Sequence, residues 1–82
     1  MNRYIATFHT HLAALVTCRA MGKAGIAAEL APVPRMLSAD CSTCVRFTAD
    51  EPCATLMHTD FDRVVRVEGE RTYITVVTSD AP

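Results

Sequence analysis

Two cysteines separated by two residues, Cys41 and Cys44, are the part of the sequence best suited to chemistry. They lie in a polar stretch that leads into a short alternating segment, Cys44-Val45-Arg46-Phe47. The thiolate is the form of cysteine that attacks sulfur and binds metal ions. The CxxC spacing therefore predicts thiol chemistry or metal binding, and two inert loop thiols are the third interpretation.

The surroundings of this CxxC argue against the thioredoxin type. In that type the motif opens a helix whose N-terminus activates the first thiol, whereas here Cys44 begins a strand-like segment. A closed zinc site would need two ligands besides the CxxC. The candidates for these two positions are His9, His11, His58 and Cys53. Their spacing does not require a metal, so we predict no metal and no other cofactor.

The other cysteines and two arginines have simpler interpretations. Cys18 and Cys53 fall in segments predicted to be helical and are expected to be small core residues. Arg35 and Arg46 flank the CxxC, where a guanidinium could hold an anion or face solvent. The sequence contains no phosphate loop and no Ser-His-Asp order. Independent turnover of a substrate therefore has little direct support in the sequence.

The overall composition bounds the kind of protein. The chain has 82 residues, of which 50% are hydrophobic, and this length fits a single folded domain, residues 1–82. Eight basic and nine acidic residues give a net charge of -1, so no basic surface is expected for nucleic acid or an anionic membrane. No stretch has the length of a membrane span and none reads as a secretory signal, so we expect a cytoplasmic protein.

Apolar runs and helix signals divide the chain into strands and helices. Thr10 is a favourable N-cap and Gly25 a favourable helix end, with an amphipathic segment between them. Thr48 and Glu51 have the spacing of a capping box for a second, short helix. The predicted elements are strand 3–9, helix 10–24, strand 26–31, loop 32–43, strand 44–47, helix 49–58, strand 64–67, turn 68–70, strand 72–78 and a frayed tail 79–82.

This order predicts an α+β fold, a ferredoxin-like split β-α-β-β-α-β sandwich with an added C-terminal strand. Two helices would cover one face of a mostly antiparallel sheet. Because the third strand returns between the first two, the end of the first strand, the start of the first helix and the CxxC loop would share one edge. The residues expected at this edge are His9, His11, Cys41, Cys44 and His58.

Several short motifs together resemble the selenium/sulfur carrier-like family of small proteins. The residues that carry the resemblance are Phe8-His9-Thr10, Ala24-Gly25-Ile26, Pro32-Val33-Pro34-Arg35, Ser38, Cys41 and Cys44-Val45-Arg46-Phe47. The resemblance covers about residues 4–68. The chain departs from the family at Ser42, where Gly is frequent, in a shorter second helix, and in a hairpin that extends beyond Val67.

The resemblance implies a protein that holds sulfur or selenium on a cysteine. Cys41 is then the candidate carrier thiol and Cys44 the second or resolving thiol, with His9, His11 and Arg35 as supporting residues. The implied partners are a cysteine desulfurase-like donor and an acceptor, which is either a protein of selenophosphate synthesis or another sulfur-accepting protein. A thiol-disulfide redox or metal-binding module and a non-catalytic interaction protein are the two alternatives.

The sequence also predicts a homo-oligomer. On the first helix, Leu12, Leu15 and Val16 lie outside the predicted inner face and form an apolar patch that small monomers seldom expose. The last strand, Thr72–Thr78, would offer unpaired backbone groups at a sheet edge. We expect a second copy to bind through one of these two surfaces.

Overall fold

One helix packs on a five-stranded antiparallel sheet in the computed structural model, which describes residues 1–37, 39 and 41–79. The elements are β1 (Asn2–Phe8), α1 (His11–Lys23), β2 (Ala27–Pro32), β3 (Thr43–Ala49), a 3-10 turn (Ala54–Leu56), β4 (Phe61–Glu68) and β5 (Thr72–Thr78). The strand order is β2-β3-β1-β4-β5, and each neighbouring pair is antiparallel. The third strand thus lies between the first two, as predicted.

The central strand β1 is buried on both faces from Tyr4 to Phe8 because an apolar cluster covers each face of the sheet there. Tyr4, Ala6 and Phe8 face the helix, and Ile5 and Thr7 point to the opposite face. The Tyr4 ring stacks on its cross-strand partner Phe47 with ring centroids 5.2 Å apart. Such aromatic cross-strand pairs stabilise a sheet.

Helix α1 begins and ends where its signals predict. The Thr10 hydroxyl accepts a hydrogen bond from the Ala13 N–H at 3.2 Å, which satisfies one of the free donors of the first turn. Gly25 follows the helix with φ +80°, a left-handed conformation that favours glycine. The inner face is fully buried at Ala13, Ala14, Thr17 and Met21.

The two faces of the sheet carry separate apolar clusters. The main cluster lies under α1 and includes Phe8, Met21, Val45 and Val64. The smaller cluster lies on the opposite face and consists of Ile5, Leu37, Cys44 and Val65. Leu37 reaches this face from the loop after β2, where its N–H donates to the Pro34 carbonyl at 2.9 Å.

The predicted second helix is wrong. Thr48 and Ala49 extend β3 and pair with β1, so they are not available to cap a helix. Glu51 precedes Pro52, a position that disfavours helical backbone, and Cys53 has the left-handed φ of 58°. The segment keeps a single 3-10 turn, so the described part of the chain is α+β with one α-helix, and the second helix of the predicted ferredoxin-like sandwich is missing there.

The remaining differences concern element ends. Strand β4 begins at Phe61, three residues before the predicted strand, and β2 includes Pro32 as its last residue. The Ser79 N–H donates to the Asp62 carbonyl at 3.0 Å, so the first residue of the predicted tail is held against β4. The other tail residues, 80–82, and Ser38 of the resemblance lie outside the described residues. In the part of the chain that the structure describes, no helix has the length and apolar character needed to span a membrane.

Candidate functional site

The end of β1, the start of α1 and the start of β3 meet at one end of the sheet. β1 leads directly into α1 through two residues, His9 and Thr10. β3 runs antiparallel to β1, and Thr7 near the end of β1 pairs with Cys44 near the start of β3. The CxxC loop, which precedes β3, is therefore placed beside the first turn of the helix.

Cys41 is half-exposed and contacts the first residue of β3. The Thr43 N–H donates to the Cys41 sulfur at 3.4 Å. The Thr43 hydroxyl in turn lies 3.2 Å from the Nδ1 atom of His11, the first residue of α1. Thr43 thus joins the Cys41 loop to the helix start, which confirms that the two elements meet.

Cys44 occupies a different environment. Its side chain is fully buried on the sheet face away from the helix, with Ile5, Leu37 and Val65. Its thiol donates to the Pro32 carbonyl at 3.6 Å. Burial raises the pKa of the Cys44 thiol above its ordinary value of 9.0, and the Arg46 guanidinium opposes only part of this increase. All four cysteines of the chain are free thiols.

Asp60 holds the segment before β4 against the helix start. Its carboxylate accepts from the Thr10 hydroxyl at 3.1 Å, and its carbonyl accepts from the His9 N–H at 3.1 Å. Its own N–H donates to Nδ1 of His58 at 3.0 Å, and the His58 N–H donates to the Thr17 hydroxyl at 3.0 Å. His58 therefore lies against the middle of α1, at Thr17, and is connected to the helix start through Asp60; a loop rather than a helix places it there.

The other candidate residues lie outside this group. Cys18 and Cys53 are half-buried and pack against the main core, as predicted. Arg35 is exposed in the turn that the Pro34 carbonyl closes with Leu37. Among the described residues, no three His, Cys, Asp or Glu side chains lie together as metal ligands.

A groove beside β1 is separate from the CxxC loop. It lies on the sheet face opposite the helix, has a volume of about 490 Å³, and is lined by residues that include Arg3, Arg46 and Tyr73. Cys41 is not among its lining residues. We therefore do not place the thiol chemistry in this groove.

Sequence reasoning missed two residues that organise the site, Thr43 and Asp60. Thr43 lies two residues before Val45, so strand alternation places it on the helix face, where it meets His11. The same alternation places Cys44 on the opposite face. This signal was present in the sequence, whereas the pairing of Asp60 with Thr10 has no local signal because 50 residues separate them.

The fold and site define a small α+β protein with a half-exposed thiol beside the start of its helix. The chain belongs to the family described as "Putative Se/S carrier protein-like", whose family model matches residues 3–58. The match includes Cys41, Thr43 and Cys44 and ends before β4. Neither the comparison with curated proteins nor the comparison with solved structures gives a match.

Proposed function

We propose that the protein carries sulfur or selenium on Cys41, as a persulfide or its selenium analogue. The observation that carries this proposal is the half-exposed Cys41 sulfur with a backbone N–H donor 3.4 Å away, in a chain of the selenium/sulfur carrier-like family. A carrier sulfur has to be reached by two different partners, and exposure at a loop permits both approaches.

Loading is an exchange at sulfur. The Cys41 thiolate, after its proton passes to solvent, attacks the outer sulfur of a persulfide on a desulfurase-like donor. A bond forms between the Cys41 sulfur and the transferred sulfur, and the sulfur–sulfur bond of the donor breaks. The donor leaves as a thiolate, so no external oxidant or reductant is consumed. The reducing conditions of the cytoplasm would keep Cys41 ready for this step.

Delivery reverses the roles. A nucleophile of the acceptor, such as a thiolate in a sulfur-accepting protein or a selenium-activating enzyme, attacks the outer atom of the Cys41 adduct. The Cys41 thiolate is released and the carrier returns to its starting form. Transfer of selenium follows the same bond changes, because the outer selenium atom replaces the outer sulfur.

The neighbours of Cys41 contribute position and polarity. Thr43 is the first residue of β3, so the strand fixes the position of its N–H. This N–H can donate to the Cys41 sulfur before and after loading. His11 contacts the Thr43 hydroxyl and is exposed, so a partner that binds at Cys41 can also contact it. Arg35, also exposed, is available to an acidic surface of the donor or acceptor.

The burial of Cys44 favours a carrier with one working thiol over a dithiol redox module. A resolving thiol must reach the sulfur that it attacks, and Cys44 is fully buried with a raised pKa. Attack by Cys44 on a Cys41 adduct would require its side chain to leave the cluster that it forms with Leu37 and Val65. We therefore assign the transferred atom to Cys41 alone.

Sulfur loading of single variants tests this assignment. The reduced protein is incubated with a cysteine desulfurase and cysteine, and the adduct is located by mass spectrometry of the intact chain and its peptides. Cys41→Ser should lose the added sulfur, whereas Cys44→Ala and the matched control Cys53→Ser should keep it. Equal loading of Cys41→Ser and the unchanged protein, or a Cys41–Cys44 disulfide as the main product, would overturn the proposal.

A further inference from the structure

The outer edge of β5 is the feature that points to a partner. β5 is the last strand of the sheet, and in the described part of the chain no strand pairs with its outer side. Alternate N–H and C=O groups along such an edge are free to bind another strand. The edge lies outside the residues matched by the family, so it is a feature of this chain that the family match does not cover.

The composition of β5 lacks the usual protections of an edge strand. Its seven residues, Thr-Tyr-Ile-Thr-Val-Val-Thr, contain no charge and no proline. The opposite edge strand, β2, carries Glu29 in its centre and ends at Pro32, two residues that discourage strand addition. The sheet is thus protected at one edge and open at the other.

Two local features restrict where a partner strand would pair. Ile74 is the most exposed large apolar residue of β5, with 37% of its surface accessible. The register with β4 shifts between Val64 and Val65, which leaves Val76 as an extra residue in β5. A bulge of this kind bends the strand, so the straight part of the edge is the segment before Val76.

We propose that β5 pairs antiparallel with β5 of a second copy, about a two-fold axis centred on Ile74. A two-fold axis perpendicular to the sheet keeps both helices on the same side and makes one residue face its own copy. With Ile74 at this position, Tyr73 pairs with Thr75 of the second copy. The two exposed Ile74 side chains then cover each other, and two five-stranded sheets become one continuous sheet.

An uncharged edge favours a second copy over an unrelated strand. Heterologous partners are selected largely through complementary charges, and β5 offers none. Self-pairing needs only a surface that complements itself under a two-fold rotation, which the Ile74 centre provides. The Cys41 loop precedes β3, which lies with β2 at the side of the sheet away from β5. Both Cys41 thiols therefore stay accessible in the dimer, at opposite ends.

Sedimentation across a wide concentration range tests the pairing edge. The unchanged protein should reach twice the chain mass. Thr75→Lys adds a charge to the exposed edge and should raise the dimer dissociation constant about tenfold or more. Ala27→Lys adds the same charge to the exposed start of β2 and should leave the dimer unchanged. A monomer mass for the unchanged protein, or equal dimerisation of both variants, would overturn the proposal.

Cross-linking tests the register of the two β5 strands directly and does not depend on a variant that weakens the dimer. After mild oxidation, Ile74→Cys should give a dimer with a disulfide between the two introduced cysteines, located by peptide mapping. The matched control Thr72→Cys lies on the same strand, but its copies would be four positions out of register and should not link. Linking of Thr72→Cys in preference to Ile74→Cys would show a different register and contradict the two-fold axis at Ile74.

Sulfur loading of Thr75→Lys separates this proposal from the carrier function, since loading should be unaffected whether or not dimers form.

Discussion

Cys41 and Cys44 are three positions apart, yet they have different chemical environments. Cys44 belongs to β3, and strand alternation turns its side chain into the cluster with Leu37 and Val65. Cys41 precedes the strand and is half-exposed beside Thr43. The CxxC spacing identifies two thiols that are close in sequence, but the start of the strand between them decides which one a partner can reach.

Alkylation should separate the two thiols by rate. Iodoacetamide should modify Cys41 at least about tenfold faster than Cys44, because a buried thiol reacts only after local opening of the structure. Peptide mass spectrometry at successive times gives both rates in the same sample. In denaturant the two rates should become similar, which is the control. Equal rates in the folded protein would contradict the burial of Cys44.

The raised pKa of Cys44 predicts a loss of stability at alkaline pH. Below pH 9.0, the ordinary pKa of the group, the thiol is neutral in both the folded and the unfolded chain. As pH rises further, the unfolded chain loses this proton first, so unfolding becomes easier until the folded pKa is passed. Urea unfolding of the unchanged protein between pH 8 and pH 10 should therefore show a decline in the free energy of unfolding that is less steep in Cys44→Ala. The same decline in both proteins would mean that Cys44 ionises equally in the folded and unfolded states.

At the scale of elements, local signals predicted the helix and the strands, and a long-range contact overruled them once. Thr10 and Gly25 mark the ends of α1 because capping depends only on neighbouring residues. The capping-box spacing at Thr48 is equally local, but Thr48 pairs with Arg3 of β1 and Ala27 of β2. Pairing with two strands stabilises this residue more than a short helix would, and a single sequence does not reveal that competition.

The candidate site was predictable to a similar degree. The order β1, α1, β2, β3 was enough to place the CxxC loop beside the helix start, because a strand that returns between two others has to begin where the first one ends. The direction of Cys44 followed from alternation within β3. The contacts of Asp60 with Thr10 and His9 depend on how the segment after the 3-10 turn folds back, which local patterns do not describe.

Thr10 connects the start of α1 to Asp60, so the contribution of its hydroxyl to the stability of the protein can be measured. Thr10→Ala removes both the cap on the Ala13 N–H and the bond to the Asp60 carboxylate, and it should destabilise the protein by about 1–2 kcal/mol. Thr10→Ser keeps a hydroxyl and should recover most of this loss. Denaturant unfolding of the three proteins measures the difference. A Thr10→Ala variant as stable as Thr10→Ser would show that the hydroxyl does not cap the helix.

At the scale of the whole molecule, the residues matched by the family do not include every strand that the core requires. The match ends at residue 58, and β4 begins at Phe61. β4 pairs with the central strand β1 along its length and contributes Val64 and Val65, which are almost completely buried on opposite faces. Both apolar clusters therefore depend on a strand beyond the matched segment.

Truncation should show that β4 is indispensable and β5 is not. A chain of residues 1–59 lacks both strands, exposes one edge of β1 and uncovers Ile5 and Ala6, and a domain of about 60 residues has little stability to lose. We expect this chain to show no cooperative unfolding transition by circular dichroism. The matched control, residues 1–69, keeps β4 and should unfold cooperatively at lower denaturant concentration than the full chain, since its sheet ends one strand earlier. A cooperative transition in residues 1–59 would mean that β1, β3, β2 and α1 form a complete core without β4.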